Sequence, residues 1–533
     1  MKKLMLVLSF CFSIAISYSQ LPLQKKWDYR FGGDLSECLY VLQETKDAGY
    51  ILAGCTYSDV SGDVTESSLG NGDFWIVKTD SLGIKQWDKR FGGDVSETVN
   101  DLQQLENGDY VLGGFTNSSL SGDLGEPSRG LADFWVIKIG QNGSKLWAKR
   151  FGGSMNEYIT SLHQAIGGGY LLCGYSNSDA GGDVSQRAIG DIDFWVVKVD
   201  ESGHKLWDKK YGGIGDDYLT CSVSTRDGGY LLAGWINSDT SIYITAPSFG
   251  ASDYWIIKID SLGNKEWDRR FGGNRGDRLY SVRKTNDGGY ILGGFSSSDS
   301  SDNISQPSRG GFDYWIVKID SSGNKEWDKR FGGDNEETGF GNVQQTIDGG
   351  YLLSGISVSN NSGDKTEDNS AYENVWVVKT DSLGNKQWDR TVVKDSHSDL
   401  SSYAIQSADG CYIIASYGRS GIGGDRTQAS RGCDDFWFVK LCESPTTFNT
   451  VNKIDNASVS VIPNPTQGHV SLVISEEMIG SLLLISDIAG KKILSAQLVS
   501  INNPIEVDLP DGIYFVTISD CKQSITRKLM VEK

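Results

Sequence analysis

Fourteen of the fifteen tryptophans of this 533-residue chain keep a fixed beat. One set is Trp75, Trp135, Trp195, Trp255, Trp315, Trp376 and Trp437; the other is Trp27, Trp87, Trp147, Trp207, Trp267, Trp327 and Trp388. Successive members lie 60 or 61 residues apart, and only Trp235 stands off the beat. A period this regular demands a repeat architecture, in which each unit has an apolar face that only its neighbours can cover. Tryptophans so placed are core residues of the repeat, each able to bury about 150–250 Å².

Each repeat reads as two hairpins. Asp253–Gly273 places an apolar, aromatic run before Asp260-Ser-Leu-Gly263 and Trp267 and Phe271 after it. That turn has the chemistry of a type I turn closing on a left-handed glycine. In the next copy Leu279–Lys284 and Tyr290–Ser296 flank Asn286-Asp-Gly-Gly289, a second hairpin signal. A loop of about sixteen residues, long for a connection, links the hairpins. Four short antiparallel strands, a to d, with no helical periodicity predict the blade of a β-propeller, and seven copies predict seven blades. The chain begins with an unpaired strand d (Lys25–Phe31) and leaves the last repeat after strand c (Phe436–Leu441). The surplus strand predicts a closed ring sealed by the N-terminal strand, which removes both exposed edges; an open stack of sheets is the alternative.

The formal net charge of −19 disfavours nucleic acid as a partner, because phosphate-tracking surfaces gather Lys and Arg on one face. Here the basic residues occupy repeat positions. Lys78, Lys138, Lys198, Lys258, Lys318, Lys379 and Lys440 end strand c, and Asp28, Asp88, Asp208, Asp268, Asp328 and Asp389 follow the strand-d tryptophan, with Ala148 as the exception. Cross-strand pairing between these two sets is expected. A second set, Arg30, Arg90, Arg150, Lys210, Arg270 and Arg330, is followed seven residues later by Glu37, Glu97, Glu157, Asp217, Asp277 and Glu337. Thr391 and Ser398 replace both members in the seventh repeat, and joint loss predicts direct inter-blade pairs. A carboxylate ring holding a cation around the channel is the functional alternative.

Residues 1–19 read as a secretory signal peptide: Lys2 and Lys3, an apolar run from Leu4 to Ile16, and small Ser17 and Ser19 before a cut at Gln20. No later stretch reaches membrane-spanning length. The remaining cysteines form no CxxC pair, so no metal site is expected, and Cys55 and Cys173 read as small buried side chains. Cys411 and Cys442 sit at adjoining strand ends of the last repeat and suit a disulfide, with Cys433 as competitor.

Residues 20–442 thus form the repeat domain and 443–456 a polar linker, Pro445 included. Residues 457–533 show about seven short strands, as in a small Ig-like β-sandwich. Within them Pro463-Asn-Pro-Thr-Gln-Gly468, Asp487-Ile-Ala-Gly-Lys491, Leu509-Pro-Asp-Gly-Ile-Tyr-Phe-Val516 and the basic strand Arg527–Val531 occur in order. This tail resembles the C-terminal sorting domain (type A) of type IX secretion substrates. The resemblance implies export across an outer membrane of the Bacteroidota type, the secretion machinery as partner, and release or retention at the cell surface. The repeats resemble the Asp-Gly-Gly-Tyr/Trp-Ile-Val-Lys propeller repeats of secreted proteins from such bacteria. They share only turn logic with the sialidase Asp-box, and no activity is implied.

No G-x-S-x-G, H-E-x-x-H or Walker pattern appears, and His163, His204, His397 and His469 form no evident site. Asp/Ser/Gly clusters such as Ser58–Asp63 lack an EF-hand cadence and serve as turns. No cofactor is expected. The expected function is an exported interaction propeller for a glycan or protein ligand; a glycan hydrolase or lyase using non-repeated acids is the alternative. Because the b–c loops are long and differ between repeats, Arg129, Tyr243, Phe249 and Arg309 are the candidate ligand contacts.

Overall fold

The computed structural model describes residues 23–443, apart from 302, 370–372, 393–400 and 420, and residues 460–531, apart from 463–465, 467–468, 475–478, 488–490, 501, 507–508 and 520–523. The leader, all but Glu443 of the linker, His397 and Ser398 lie outside the described residues. The chain divides into two compact units, 1–444 and 445–533.

The first unit is a seven-bladed β-propeller. Six four-stranded antiparallel sheets follow the chain in order, as in Glu37–Glu44, Tyr50–Thr56, Asp73–Thr79 and Lys85–Phe91 of the first blade. The seventh is completed from the far end of the chain, where Leu23–Phe31 pairs antiparallel with Asp435–Glu443. Strands b and c are buried at every position of the first blade, because blades cover both of their faces. Strand d is less covered, with half-buried Trp87 and Lys89 alternating with buried Asp88 and Arg90, as suits an outer strand.

The c-strand tryptophans are the contacts between blades. Phe74 meets Trp135 at 4.7 Å between ring centroids, Phe134 meets Trp195 at 4.6 Å, Phe194 meets Trp255 at 4.8 Å and Tyr254 meets Trp315 at 4.5 Å. Phe436 of the last blade meets Trp75 of the first at 4.9 Å, so the final junction repeats the geometry of the others. Each indole N–H needs an acceptor once buried. The aspartate that follows the strand-d tryptophan supplies it, from Asp88 to Trp75 at 3.1 Å and from Asp28 to Trp437 at 3.3 Å.

This corrects the expected Lys–Asp pairing across strands c and d. Lys78 stands opposite Trp87, and Asp88 stands opposite Val77, one residue along and therefore on the other face of the sheet. Lys78 instead reaches Asp47 in the a–b turn at 2.8 Å, and Lys258, Lys318, Lys379 and Lys440 reach Asp227, Asp287, Asp348 and Asp409 likewise. Asp88 accepts from the backbone and hydroxyl of Thr65 and from Lys85, three residues before it. Where Ala148 removes the aspartate, Lys145 turns to Asp123 at 2.5 Å.

The turns take the expected form. Gly263 adopts φ +79°, its N–H donates to the Asp260 carbonyl, and the Asp260 carboxylate accepts from Leu262 and Asn264. Cys411 and Cys442 form a disulfide across strands b and c of the last blade, with 4.4 Å between their Cα atoms.

Among the described residues the second unit is a two-sheet sandwich of seven strands. Ser460–Ile462, His469–Val473 and Asn502–Glu506 make one sheet, and Lys492–Gln497, Leu482–Ser486, Gly512–Ser519 and Ser524–Val531 the other. Val470, Leu472, Leu483, Ile485, Val516, Ile518 and Leu529 fill its core.

Deleting residues 20–33 removes the strand that pairs with Asp435–Glu443 and opens a sheet edge. The expected result is concentration-dependent association in light scattering and a lower melting temperature; an unchanged monomer would contradict the closure.

Candidate functional site: the axial channel and its two mouths

A buried polar group lies at each of six blade junctions, but its pairing differs from the Arg–acid pairs expected from sequence. Arg90 Nε faces Asp73 at the start of strand c in its own blade (3.5 Å), Arg150 faces Asp133 (2.5 Å), Arg270 faces Asp253 (2.7 Å) and Arg330 faces Asp313 (3.5 Å). Arg30 faces Asp435 at 3.7 Å and Lys210 faces Asp193 at 3.6 Å. The expected acids bind backbone and hydroxyls instead. Glu37 takes Gly33 N–H and the hydroxyls of Thr56 and Ser58; Glu97 takes Gly93 N–H and Thr116. Glu157, Asp217, Asp277 and Glu337 each take the equivalent glycine N–H. These acids therefore stitch the incoming d–a segment to their own blade. They are absent from the channel lining, so the carboxylate ring around the channel is also corrected.

The two carboxylates of a junction converge on the first glycine of Phe-Gly-Gly. A Cβ on Gly92 would lie 1.9 Å from Asp73 Oδ1 and 2.9 Å from Glu97 Oε2. In the divergent repeat Asn374 stands where the strand-c aspartate would be and Thr391 where the arginine would be, so the charges disappear as a set. Burial raises Asp217 and Asp277 to about 6 and Glu337 and Asp435 to about 7. Asp227 and Asp287 are, against some burial, held down to about 2 by Lys258 and Lys318 together with hydroxyl and backbone donors.

Strand a of all seven blades lines one central cavity of about 330 Å³. As the inner edge of its sheet, strand a carries backbone groups that no fifth strand can pair. Side chains of adjacent blades cap them: Asn100 Nδ2 donates to Ile159 O, Asp101 accepts from Leu162 N, Gln103 accepts from Gln164 N, and Asn342 bonds both backbone groups of Ala404. Much of the channel's polarity is thereby explained. Among the described residues Asp101 is the one carboxyl in this lining, raised to about 6 by burial. His163 is lowered to about 4, also by burial, and bonds Ser222 through Nε2.

At the b–c end the channel widens into a cavity of about 440 Å³, walled by Tyr175, Tyr218, Trp235, Tyr280 and Phe340 among others. These rings belong to an arc. Phe115 meets Tyr158 at 4.7 Å, Tyr158 meets Tyr175 at 5.3 Å, Tyr175 meets Tyr218 at 5.1 Å and Tyr218 stacks on Trp235 at 4.3 Å. Arg278 covers the next face of Trp235 at 4.8 Å. The two slots that build the arc lie opposite one another at the start of strand a and the end of strand b. They hold Tyr158 with Tyr175 and Tyr218 with Trp235, but Cys38 with Cys55 and Thr338 with Ile356 in other blades. The fold therefore does not need aromatic residues there. Trp235, the tryptophan off the beat, was the signal in the sequence that could have found this mouth.

The four loop residues named from sequence do not converge. Arg129 is held by Asp183 at 2.5 Å and Glu126 at 3.0 Å, and Arg309 by Asp364 at 2.6 Å. Tyr243 packs on Tyr211 at 5.4 Å, and Phe249 is half-buried with its N–H on Asp253. None of the four is among the residues lining the channel or its mouths.

The fold and channel define a β-propeller, and comparison with known proteins identifies the tail. Residues 460–532 match the family described as "Secretion system C-terminal sorting domain", and the chain ends in a type IX sorting domain. That domain marks the protein as secreted or displayed at the cell surface through the type IX machinery. Among the described residues no helix is long and apolar enough to cross a membrane. A regulatory protein, FlaEY, of Caulobacter vibrioides is 24% identical over 224 residues, covering 39% of this chain and 22% of that protein. PorZ of Porphyromonas gingivalis, described as an essential surface component of the type IX system, aligns over 94% of this chain and 60% of its own at 11% identity and TM-score 0.39. A Dyadobacter fermentans protein of unknown function aligns over 79% of this chain and 99% of its own at 12% identity and TM-score 0.41. The chain thus spans 22% of the length of FlaEY and 60% of that of PorZ.

The raised carboxyls give a signed pH dependence. A folded carboxyl titrating near 6 or 7 holds a proton that its unfolded counterpart, near about 4, has lost. Its stabilisation is complete below about pH 4 and is lost as pH rises through 6 to 7. The turn aspartates at about 2 lose their contribution only below about pH 4. The melting temperature is expected to rise from pH 7.5 to 5, and Glu337→Gln to flatten that slope in pH-resolved calorimetry. A fall over the same interval would contradict it.

Proposed function

We propose that the exported propeller is a glycan-binding module whose ligand docks at the b–c mouth of the channel. The aromatic arc from Phe115 to Trp235 carries this reading. Its residues are half-buried, and Tyr175, Tyr218 and Trp235 line the cavity itself. Tyr and Trp present such an apolar body with a polar tip, which suits the mixed apolar and hydroxyl surface of a sugar. A cavity of about 440 Å³ falls in the range of small-ligand sites and favours a short oligosaccharide over a flat protein face. The polar channel below continues the hydrogen-bonding surface inward.

A propeller hydrolase or lyase is the second reading, favoured by Asp101 alone: a non-repeated acid at about 6 has the protonation range of a general acid. Its two oxygens already accept from Leu162 N and Leu102 N, which also suits a capping role.

The purified full chain is screened on glycan arrays and against soluble polysaccharides, with retention and cleavage both recorded. Trp235→Ala and Tyr218→Ala are each expected to weaken retention by roughly 1–3 kcal/mol, while Leu262→Asn in a c–d turn leaves it unchanged. Retention insensitive to both mouth variants refutes the site, and cleavage abolished by Asp101→Asn transfers the case to the enzymatic reading.

A further inference from the structure

The opposite end of the channel carries a basic cluster that the fold does not require. Arg283 and Lys284 are the last two residues of strand a in the fifth blade, and both are exposed. In the other blades the first slot holds Gln43, Gln103, His163, Val223, Gln344 and Ile405, and the second holds Glu44, Gln104, Gln164, Ser224, Gln345 and Gln406. Blade five alone is basic at both.

Glutamine in these slots has a structural task. In the first slot, the side-chain oxygens of Gln43, Gln103 and Gln344 accept the N–H of Gln104, Gln164 and Gln406 in the following blade. In the second, Gln104, Gln345 and Gln406 accept the turn N–H of Lys46, Asn286 and Ile347 in the preceding blade. Arg and Lys have no acceptor. Arg283 and Lys284 therefore give up two edge-capping bonds that glutamine makes elsewhere in the same ring.

No carboxylate takes either charge in an ion pair among the described residues. Arg283 donates to the carbonyl of its neighbour Val282 at 3.1 Å, and Lys284 donates to Ser224 Oγ at 2.9 Å. The nearby turn acids Asp227 and Asp287 are taken by Lys258 and Lys318 at 2.8 and 2.9 Å. Arg226 is exposed in the adjacent turn and lowers the Lys284 pKa after burial has done so, as like charges do. Together with His163, Ser224, Asn286, Gln344 and Gln345, the two basic residues line a cavity of about 450 Å³. The short a–b turns leave little room for a site on this face; the open channel end supplies it.

We propose that this cavity binds an oxyanion, a sulfate, phosphate or carboxylate group, between the Arg283 guanidinium and the Lys284 ammonium. Arginine supplies a planar fork matched to such groups and lysine a compact charge. In a chain of net charge −19, a site so placed selects anions locally against the overall field. The anion comes from solution or as a substituent of a glycan, and the chemistry of capture is the same. This site is independent of the aromatic mouth at the other end.

The test uses the full chain at constant ionic strength, with chloride as the balancing anion. Calorimetric titration with sodium sulfate and with sodium phosphate is compared for wild type, the Arg283→Gln/Lys284→Gln double variant, and a charge-matched control, Lys26→Gln/Lys209→Gln, on outer strands. Saturable binding by wild type and control, weakened by on the order of tenfold or more in the double variant, supports the site. The glutamines restore the residue type of the other blades, so the variant keeps the fold. A sulfated oligosaccharide and its desulfated form separate the sources: preference for the sulfated chain over free sulfate assigns the anion to a glycan, and equal affinity assigns it to solution. No saturable binding of any of these probes, or equal binding by wild type and double variant, overturns the proposal.

Discussion

A four-stranded sheet whose two middle strands are apolar on both faces is not stable in water by itself, and the propeller follows from that fact. Strands b and c bury nearly all of their side chains, and in the first blade every one, only because a blade stands against each face. The tryptophan on strand c concentrates the contact, and the aspartate on strand d satisfies its indole N–H, so one residue pair links the packing within a blade to the packing between blades. The arrangement has no natural end. The chain supplies one by placing its first strand beside its last, which leaves no outer strand missing from any of the seven sheets.

Closing the ring moves the unsatisfied edges inward. Seven copies of strand a face a common axis with free backbone groups, and the channel side chains are chosen largely to cap them. Most of the channel's polar character is thus structural: Asn100, Asp101, Gln103 and Asn342 all bind backbone of a neighbouring blade. Against this background the residues with no capping role stand out. At one mouth they are aromatic, and at the other they are Arg283 and Lys284. A repeat protein in this way supplies its own reference, because each blade shows what the fold alone demands at a position.

The buried junction charges follow similar logic. The aspartate opening strand c and the acid opening the next strand a converge on a glycine that allows a close approach, and an arginine faces that aspartate. Burial raises several of these acids to about 6 or 7, and the second carboxylate close by adds to the rise. Their loss as a set in the repeat bearing Asn374 and Thr391 is the expected result of removing one member of a balanced group: an unpaired buried charge is costlier than none.

The sequence by itself determined the repeat, the number of blades, the strand order, the turn types and the sorting domain. All of these are written in local patterns: tryptophan spacing, alternation, Asp-Gly turns and short motifs. The surplus strand at one end and the deficit at the other were also countable. Tertiary structure decided who pairs with whom. Lys78 and Asp88 look like cross-strand partners in the sequence, yet a shift of one residue puts them on opposite faces. Arg90 finds Asp73, seventeen residues away across the c–d hairpin, while the acid seven residues after it caps a glycine N–H. Likewise Arg129 and Arg309 look free as loop residues but are held by Asp183 and Asp364 across a blade junction. The make-up of the two mouths was decided in the same way, with Trp235 off the beat as the one local sign of the aromatic mouth. Each is assembled from a few residues of several blades, about sixty positions apart, and only closure of the ring brings them to one axis.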